Sequence, residues 1–213
     1  EPIKELAKAY NVNVDEMKQL LKKQYDGYHF SGQLLDIYNP FSILNAFSAK
    51  RIASFWFKTG SPSYLLRLLA HHQENINELA GKFYPEQMFV DYKANIELPL
   101  PMLYQSGYLT IKNYDKQWGK YTLGIPNNEV RVSLTENLLP LYSYKDSYKS
   151  SSFIMQFCEA VANEKMEKAF IAMRAYLAGI PYPDGGKEIL EDMQKSEYYY
   201  ETMFYLMFSF MNR

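Results

Sequence analysis

Residues 100–125 read LPMLYQSGYLTIKNYDKQWGKYTLGI, and this run decides the fold class. Leu100 to Ser106 suits a short helix, and Gly107 ends it because glycine takes the backbone conformation that stops a helix without steric cost. Tyr108-Leu109-Thr110-Ile111 alternates like a strand. Asp115-Lys116-Gln117-Trp118-Gly119 has turn composition, and Tyr121-Thr122-Leu123-Gly124-Ile125 reads as the return strand. Asn127 or Asn128 then caps a helix through Val130, Leu134, Leu138 and Leu139. A helix followed by a two-stranded hairpin is the tail of a winged-helix unit, and equally the tail of many other α+β modules.

The sequence on either side is helical. Pro2 to Asp26 reads as two helices: Asn13 with Glu16 forms a capping box, Met17, Leu20 and Leu21 follow at helical spacing, and Gly27 stops the run. Tyr28-His29-Phe30 and Leu35-Asp36-Ile37-Tyr38, separated by Ser31-Gly32-Gln33, predict a hairpin. Asn39-Pro40 opens a helix carrying Ile43, Leu44 and Phe47. Ser61-Pro62 repeats the device before Tyr64, Leu65, Leu68 and Leu69. The aromatic cluster Phe55-Trp56-Phe57-Lys58-Thr59-Gly60 between them is expected to pack those two helices together.

Ser143 to Ser152 reads as a polar linker. Two helices follow, one with Phe153, Phe157 and Val161, the other with Met166, Phe170, Met173 and Leu177, ended by Gly179-Ile180-Pro181. From Tyr198 to Met211 only Glu201, Thr202 and Ser209 interrupt the apolar and aromatic residues. Such a helix is apolar nearly all round, which predicts burial on more than one side. It is shorter than the ~20 apolar residues that span a bilayer. It reads either as a core helix of this domain or as the first helix of another, and the second reading is preferred.

Composition narrows the function classes. The chain has 213 residues, room for one large domain or two small ones, and 47% of them are apolar, enough for a sizeable core. With 23 basic against 24 acidic residues the net charge is −1, so nothing drives the whole chain toward nucleic acid or an anionic membrane. Twenty Tyr and thirteen Phe point to aromatic packing interfaces. Cys158 is the sole cysteine; it lies in the apolar run Phe153, Ile154, Phe157, Val161 and is expected to be a buried small hydrophobe. A single cysteine fits a reducing compartment, and Glu1-Pro2-Ile3-Lys4 shows no signal-peptide core, so a cytoplasmic location is expected. The missing initiator methionine suggests a piece of something longer.

The motif search returns no catalytic, cofactor-binding or metal-ligating residue. Gly185-Gly186-Lys187 is the nearest approach to a phosphate loop, but Glu188 replaces the Ser or Thr that would hold magnesium, and a surface turn explains it better. Glu164-Lys165 and Lys187-Glu188 lack the Glu-x-Lys spacing of a metal-dependent nuclease. His71 and His72 are adjacent and point about 100° apart on a helix. His29 is distant in sequence, so structural zinc is not expected. No Gly-x-Ser-x-Gly elbow marks a serine nucleophile. For nucleic acid the candidates are Lys112, Lys116, Trp118 and Lys120 in the hairpin, cations beside an aromatic ring. The preceding helix, Leu98 to Gln105, has no basic residue, which favours a protein-packing role over DNA reading.

Several strings resemble a family of bacterial proteins that join an AAA-ATPase-like domain to a C-terminal PD-(D/E)XK nuclease-like domain. They are Tyr25-Asp26-Gly27-Tyr28-His29-Phe30, Ile37 to Leu44, Phe55 to Pro62, Leu103 to Leu109, Leu123 to Arg131, and Ala178-Gly179-Ile180-Pro181-Tyr182, in the family's order. In that family the nucleotide loop lies upstream of the first string and the nuclease carboxylates downstream of a helix resembling Glu197 to Asn212. The resemblance therefore implies that both active sites lie outside this chain and that no catalytic residue carries over. ATP and magnesium would be cofactors of the parent, not of this segment.

The expected fold is mainly α with small β-hairpins: a helical lid-like region, then a winged-helix-like unit and a helical extension. By the resemblance, 1–90 is the C-terminal lid part of the ATPase-like domain and 91–148 the winged-helix-like unit. Residues 149–190 form the extension, and 191–213 the first helix of a truncated nuclease-like domain. The expected role is a non-catalytic connecting and regulatory segment. The alternatives are a nucleic-acid-binding winged-helix-like module and a helical protein-interaction domain. Expected partners are the remaining domains of the parent, DNA through the hairpin, and a second copy through Tyr198–Met211, with no membrane.

Overall fold

The computed structural model describes residues 1–59, 69, 81–90, 99–143, 145–178 and 200–209. They form a mainly helical chain with one small three-stranded antiparallel sheet. It divides into two compact units, Glu1–Leu65 with Ile76–Ser133 and Leu66–Asn75 with Leu134–Arg213. The boundaries at 90 and 148 came from the family resemblance; the contacts themselves divide within the helix that follows the hairpin.

In the first unit, α1 (Pro2–Tyr10), α2 (Val14–Tyr25) and α3 (Pro40–Ala49) form a small bundle. Local signals set each end. Asn13 Oδ1 accepts from the Glu16 amide at 2.8 Å while Glu16 Oε2 accepts from the Asn13 amide at 3.0 Å. Two otherwise orphaned donors are thereby satisfied. Asn39 Oδ1 accepts from the Ser42 amide at 3.2 Å, with Pro40 in the first turn. The core of this bundle is Leu6, Ala7, Met17, Leu21, Tyr25, Ala46 and Phe55. Each large side chain buried there contributes about 1.5–3 kcal/mol.

The hairpin expected over 28–38 is a single bridge, between Tyr28 and Ile37. The next ladder bonds would fall to Phe30 and Leu35, and these are not made; the His29 amide, which faces away from the Ile37 strand, donates to Thr110 Oγ1 at 2.7 Å. Leu34 at φ 53° tightens the turn, and Phe30 and Leu35 are 67% and 66% exposed, so no buried face fixes a ladder.

The sheet comprises β1 (Phe83–Pro85), β2 (Thr110–Asp115) and β3 (Lys120–Gly124), in the order β1-β3-β2. Strands β2 and β3 match the expected hairpin. The third strand was not foreseen: it has three residues and ends in Pro85, which an edge position tolerates. Two short helices, α4 (Gln87–Val90) and α5 (Leu100–Gln105), lie between β1 and β2 in the chain. Phe89 of α4 is fully buried against Tyr104 and Tyr121, at ring separations of 4.8 and 5.5 Å.

Helix α6 (Asn128–Ser143) runs on through Pro140. In the second unit α7 (Ser147–Ala162) packs on α8 (Met166–Ala178). The polar stretch expected as a linker is largely the first turns of α7. Asp146 caps that helix by accepting from the Lys149 amide at 2.8 Å, and Ser150 Oγ pairs with the Tyr176 hydroxyl at 2.8 Å. Polarity there serves a cap and a buried contact. The Tyr176 hydroxyl also donates to Ser143 Oγ at 2.7 Å, and its ring stacks on Phe153 at 4.1 Å. Cys158 is half-buried, not fully enclosed.

Residues 200–209 are helical. Thr202, Met203, Leu206, Met207 and Ser209 are buried, whereas Phe204 and Phe208 are 38% and 41% exposed. Burial is therefore one-sided, a correction to the expectation of an enclosed helix. The helix expected after Ser61-Pro62, the Gly179-Ile180-Pro181 stop, His71-His72 and Gly185-Gly186-Lys187 lie outside the described residues. Among the described residues no helix is long and apolar enough to cross a membrane.

Candidate functional site at a buried polar junction

The first unit contains a junction where polar groups from distant stretches of chain meet. Gly27 follows α2 at φ 94°, and a Cβ there would lie 2.5 Å from the Pro126 carbonyl oxygen, so only glycine allows the approach. Lys112 closes the same point, donating to the carbonyls of Gly27 at 3.3 Å and Pro126 at 3.0 Å. It reaches them because the β2–β3 register slips between Ile111 and Asn113, a bulge that re-aims the side chain. Burial lowers the Lys112 ammonium below its ordinary range.

One step along, the Thr110 hydroxyl accepts from the His29 amide at 2.7 Å and donates to the His29 carbonyl at 2.9 Å. The ring of His29 lies between two acceptors, the Ile111 carbonyl 2.7 Å from Nδ1 and Asp36 Oδ1 2.8 Å from Nε2. Both contacts are hydrogen bonds when both ring nitrogens carry hydrogen. Lys22 donates to the other Asp36 oxygen at 2.7 Å. Lys22 first, and His29 second, hold the Asp36 carboxyl below its usual range.

Glu129, in the first turn of α6, is fully buried. Its Oε1 accepts from the Phe55 and Trp56 amides at 2.6 and 3.1 Å, tying the end of the three-helix bundle to α6. Burial raises its carboxyl above the usual range, opposed by these amides and by nearby Ser42. Tyr25 bonds the Ala53 backbone in both directions, at 2.8 and 3.0 Å. Burial pushes the Tyr25 and Tyr28 hydroxyls up to about 12 each. The second helix that the aromatic cluster was expected to pack lies outside the described residues. Phe55 enters the bundle core, while Trp56 and Phe57 meet Tyr108 at 4.9 and 5.7 Å. Gly107, at φ 77°, leaves room for the Trp56 and Tyr28 rings.

Of the four hairpin residues predicted for nucleic acid, Lys112 is turned into the junction, whereas Lys116, Trp118 and Lys120 are exposed around the β2–β3 turn. The Asp115 carboxylate holds that turn, accepting from the Gln117 and Trp118 amides at 2.9 and 3.2 Å. The preceding helix α5 buries Leu100, Pro101 and Leu103. His29, Thr110 and Glu129 were missed as site residues. Asn127 and Asn128 flagged a helix start, but nothing near Glu129 reveals that its partners lie at residues 55 and 56. Among the described residues no group of three His, Cys, Asp or Glu side chains is placed to hold a metal ion.

No family model and no solved structure matches the chain. It is similar to an uncharacterized protein in the vnfD 5′ region of Azotobacter chroococcum mcd 1, with 30% identity over 124 residues. That match takes in 57% of this chain and 24% of the Azotobacter protein, so the chain spans about a quarter of that relative's length.

Proposed function

We propose that the chain is a non-catalytic connecting and regulatory segment of a larger protein of the ATPase-like and nuclease-like kind, both active sites lying outside it. The observation that carries this reading is the convergence at the junction of five separate strings that bear the family resemblance. Tyr28 and His29, Asn39 and Ser42, Phe55 and Trp56, Gly107 and Tyr108, and Pro126 with Glu129 come one pair from each. Residues far apart in sequence are thereby fixed into one body. A segment passing nucleotide-dependent motion between domains needs that property, since packed elements relay displacement when they move as units. The sheet order β1-β3-β2, with α4 and α5 between β1 and β2, supports the winged-helix-like reading of its second half.

The test uses the full-length parent. DNA cleavage is measured with and without ATP and magnesium, in wild type and in a His29→Ala variant shown to be folded. The connector reading expects nucleotide dependence in wild type and its loss in the variant, with basal cleavage kept. Cleavage indifferent to both nucleotide and substitution would overturn it.

One observation favours a second reading. Trp118 is 68% exposed on a turn held by Asp115, between the exposed Lys116 and Lys120. An aromatic ring between cations suits a single-stranded nucleic acid, which stacks its bases and presents its phosphates. A labelled oligonucleotide should bind with affinity that falls as salt rises, and the K116A/W118A/K120A variant should lose it. Equal binding by the variant would exclude the hairpin.

A further inference from the structure

The three-stranded sheet has one face turned to the core and one turned outward. Residues directly opposite on antiparallel strands share a face, and successive residues alternate between faces. The register sets Tyr84 and Tyr114 on either side of Tyr121, and Ile111 opposite Leu123. Tyr84, Ile111 and Leu123 are buried and Phe89 packs on the Tyr121 ring, so this face is covered. The other face carries the row Phe83, Thr122 and Asn113, and beyond it the row Pro85, Lys120 and Asp115. Phe83 is 57% exposed, Asn113 and Lys120 are exposed, and Thr122 is half-buried.

The two rows lie about 7 Å apart along β3. Past the second row comes the β2–β3 turn with exposed Lys116 and Trp118. Even a Cβ added at Gly119, beside Trp118, would meet nothing within 4 Å, so the turn stands clear of the rest of the protein. The outward side therefore presents an aromatic ring, a cation and a second aromatic ring in succession, Phe83, Lys120 and Trp118. The Asn113 amide, in the row of Phe83, adds a donor and an acceptor. Two acids lie close. Asp115 gives Oδ1 to the turn amides, and Glu86 acts on the Tyr104 and Tyr121 hydroxyls, Tyr121 being on the covered face.

The ligand is decided by what these groups take in combination. Two exposed rings ask for planar groups to stack on, lysines beside them for an anionic backbone, and the amide for a polar edge. A single-stranded nucleic acid supplies all three. A duplex keeps its bases stacked inside, away from the rings, and an acidic peptide would meet the lysines and leave the rings unused. We propose that the outward face of the sheet, from Phe83 and Asn113 to Trp118, is a platform for single-stranded nucleic acid, with Phe83 as a second base-stacking ring and Asn113 reading a base edge. Lys120, between the rings, meets the phosphate that links the two stacked bases. This rests on the nucleic-acid reading of the hairpin turn given above and extends it across the sheet.

The test measures binding of the whole chain to labelled oligonucleotides, single-stranded and as a duplex of the same sequence, at fixed salt. Phe83→Ala is expected to bind the single strand about five- to 150-fold more weakly. Phe83→Tyr should restore binding, and Phe83→Leu, which keeps apolar bulk without a stacking face, should not, with circular dichroism unchanged in all three. Asn113→Ala should even out the affinities for homopolymers of adenine, cytosine and thymine, and an unchanged ranking would overturn its base-reading role. Binding that is lost in K116A/W118A/K120A but intact in Phe83→Ala overturns the platform and leaves the reading of the turn standing. Failure of the wild type to bind any single strand overturns both, and a preference for the duplex overturns the platform.

Discussion

Replacing Gly27 with alanine would bring a Cβ to 2.5 Å from the Pro126 oxygen on a backbone already at φ 94°. The junction must then part or the backbone must turn, and the expected loss exceeds about 3 kcal/mol in urea unfolding. Gly119 is the control: its φ is 60°, nothing lies within 4 Å, and alanine there should cost only about 1–2 kcal/mol. Glu129 supplies a pH test. Burial raises its carboxyl in the folded state, so below about pH 4 it is protonated folded and unfolded alike and its contribution is intact. As pH rises the unfolded chain releases this proton first, and stability falls until the raised native value is passed. Unfolding midpoints of wild type should therefore decline relative to Glu129→Gln as pH rises above about 4, the unfolded carboxyl's range, and a constant difference would show the carboxyl to be unshifted.

At the scale of elements, α2 should lose about 1 kcal/mol of stability when Asn13 becomes alanine, with an unchanged fold by circular dichroism, because the side-chain acceptor for the Glu16 amide goes while the backbone half of the capping box stays. That cap was legible in the sequence, as were the start of α3 at Asn39-Pro40 and the β2–β3 hairpin. Each signal sits within a few residues of what it controls. What was not legible depends on distant partners. The run 28–38 has strand composition but is one bridge, with Phe30 and Leu35 exposed and no buried face to fix a ladder, while the outward-facing His29 amide is taken by Thr110, 81 residues on. β1 is too short to register as a pattern, and Ser143 to Ser152 looks like a linker until Tyr176 is placed beside Ser150. The bulge that turns Lys112 inward leaves no trace in composition, so four equivalent-looking hairpin residues divide into three exposed and one half-buried.

The whole molecule has two compact units, and the second ends in a helix buried on one side with Phe204 and Phe208 partly exposed. Self-association through that face predicts a concentration-dependent dimer in sedimentation velocity, lost in Phe204→Glu with helicity unchanged. A monomer at every concentration would remove this partner. In the first unit the α1–α3 core is assembled from residues close in sequence, whereas the junction closes over spans of 74 and 82 residues. A chain leaving the ribosome at about 5–20 residues per second therefore carries the Phe55 and Trp56 amides for roughly 4–15 s before Glu129 is even made. For the first part of that interval, until Tyr108 is made, the nascent bundle shows the Trp56 ring without that partner, which gives a chaperone that reads exposed aromatics a window set by the order of synthesis alone.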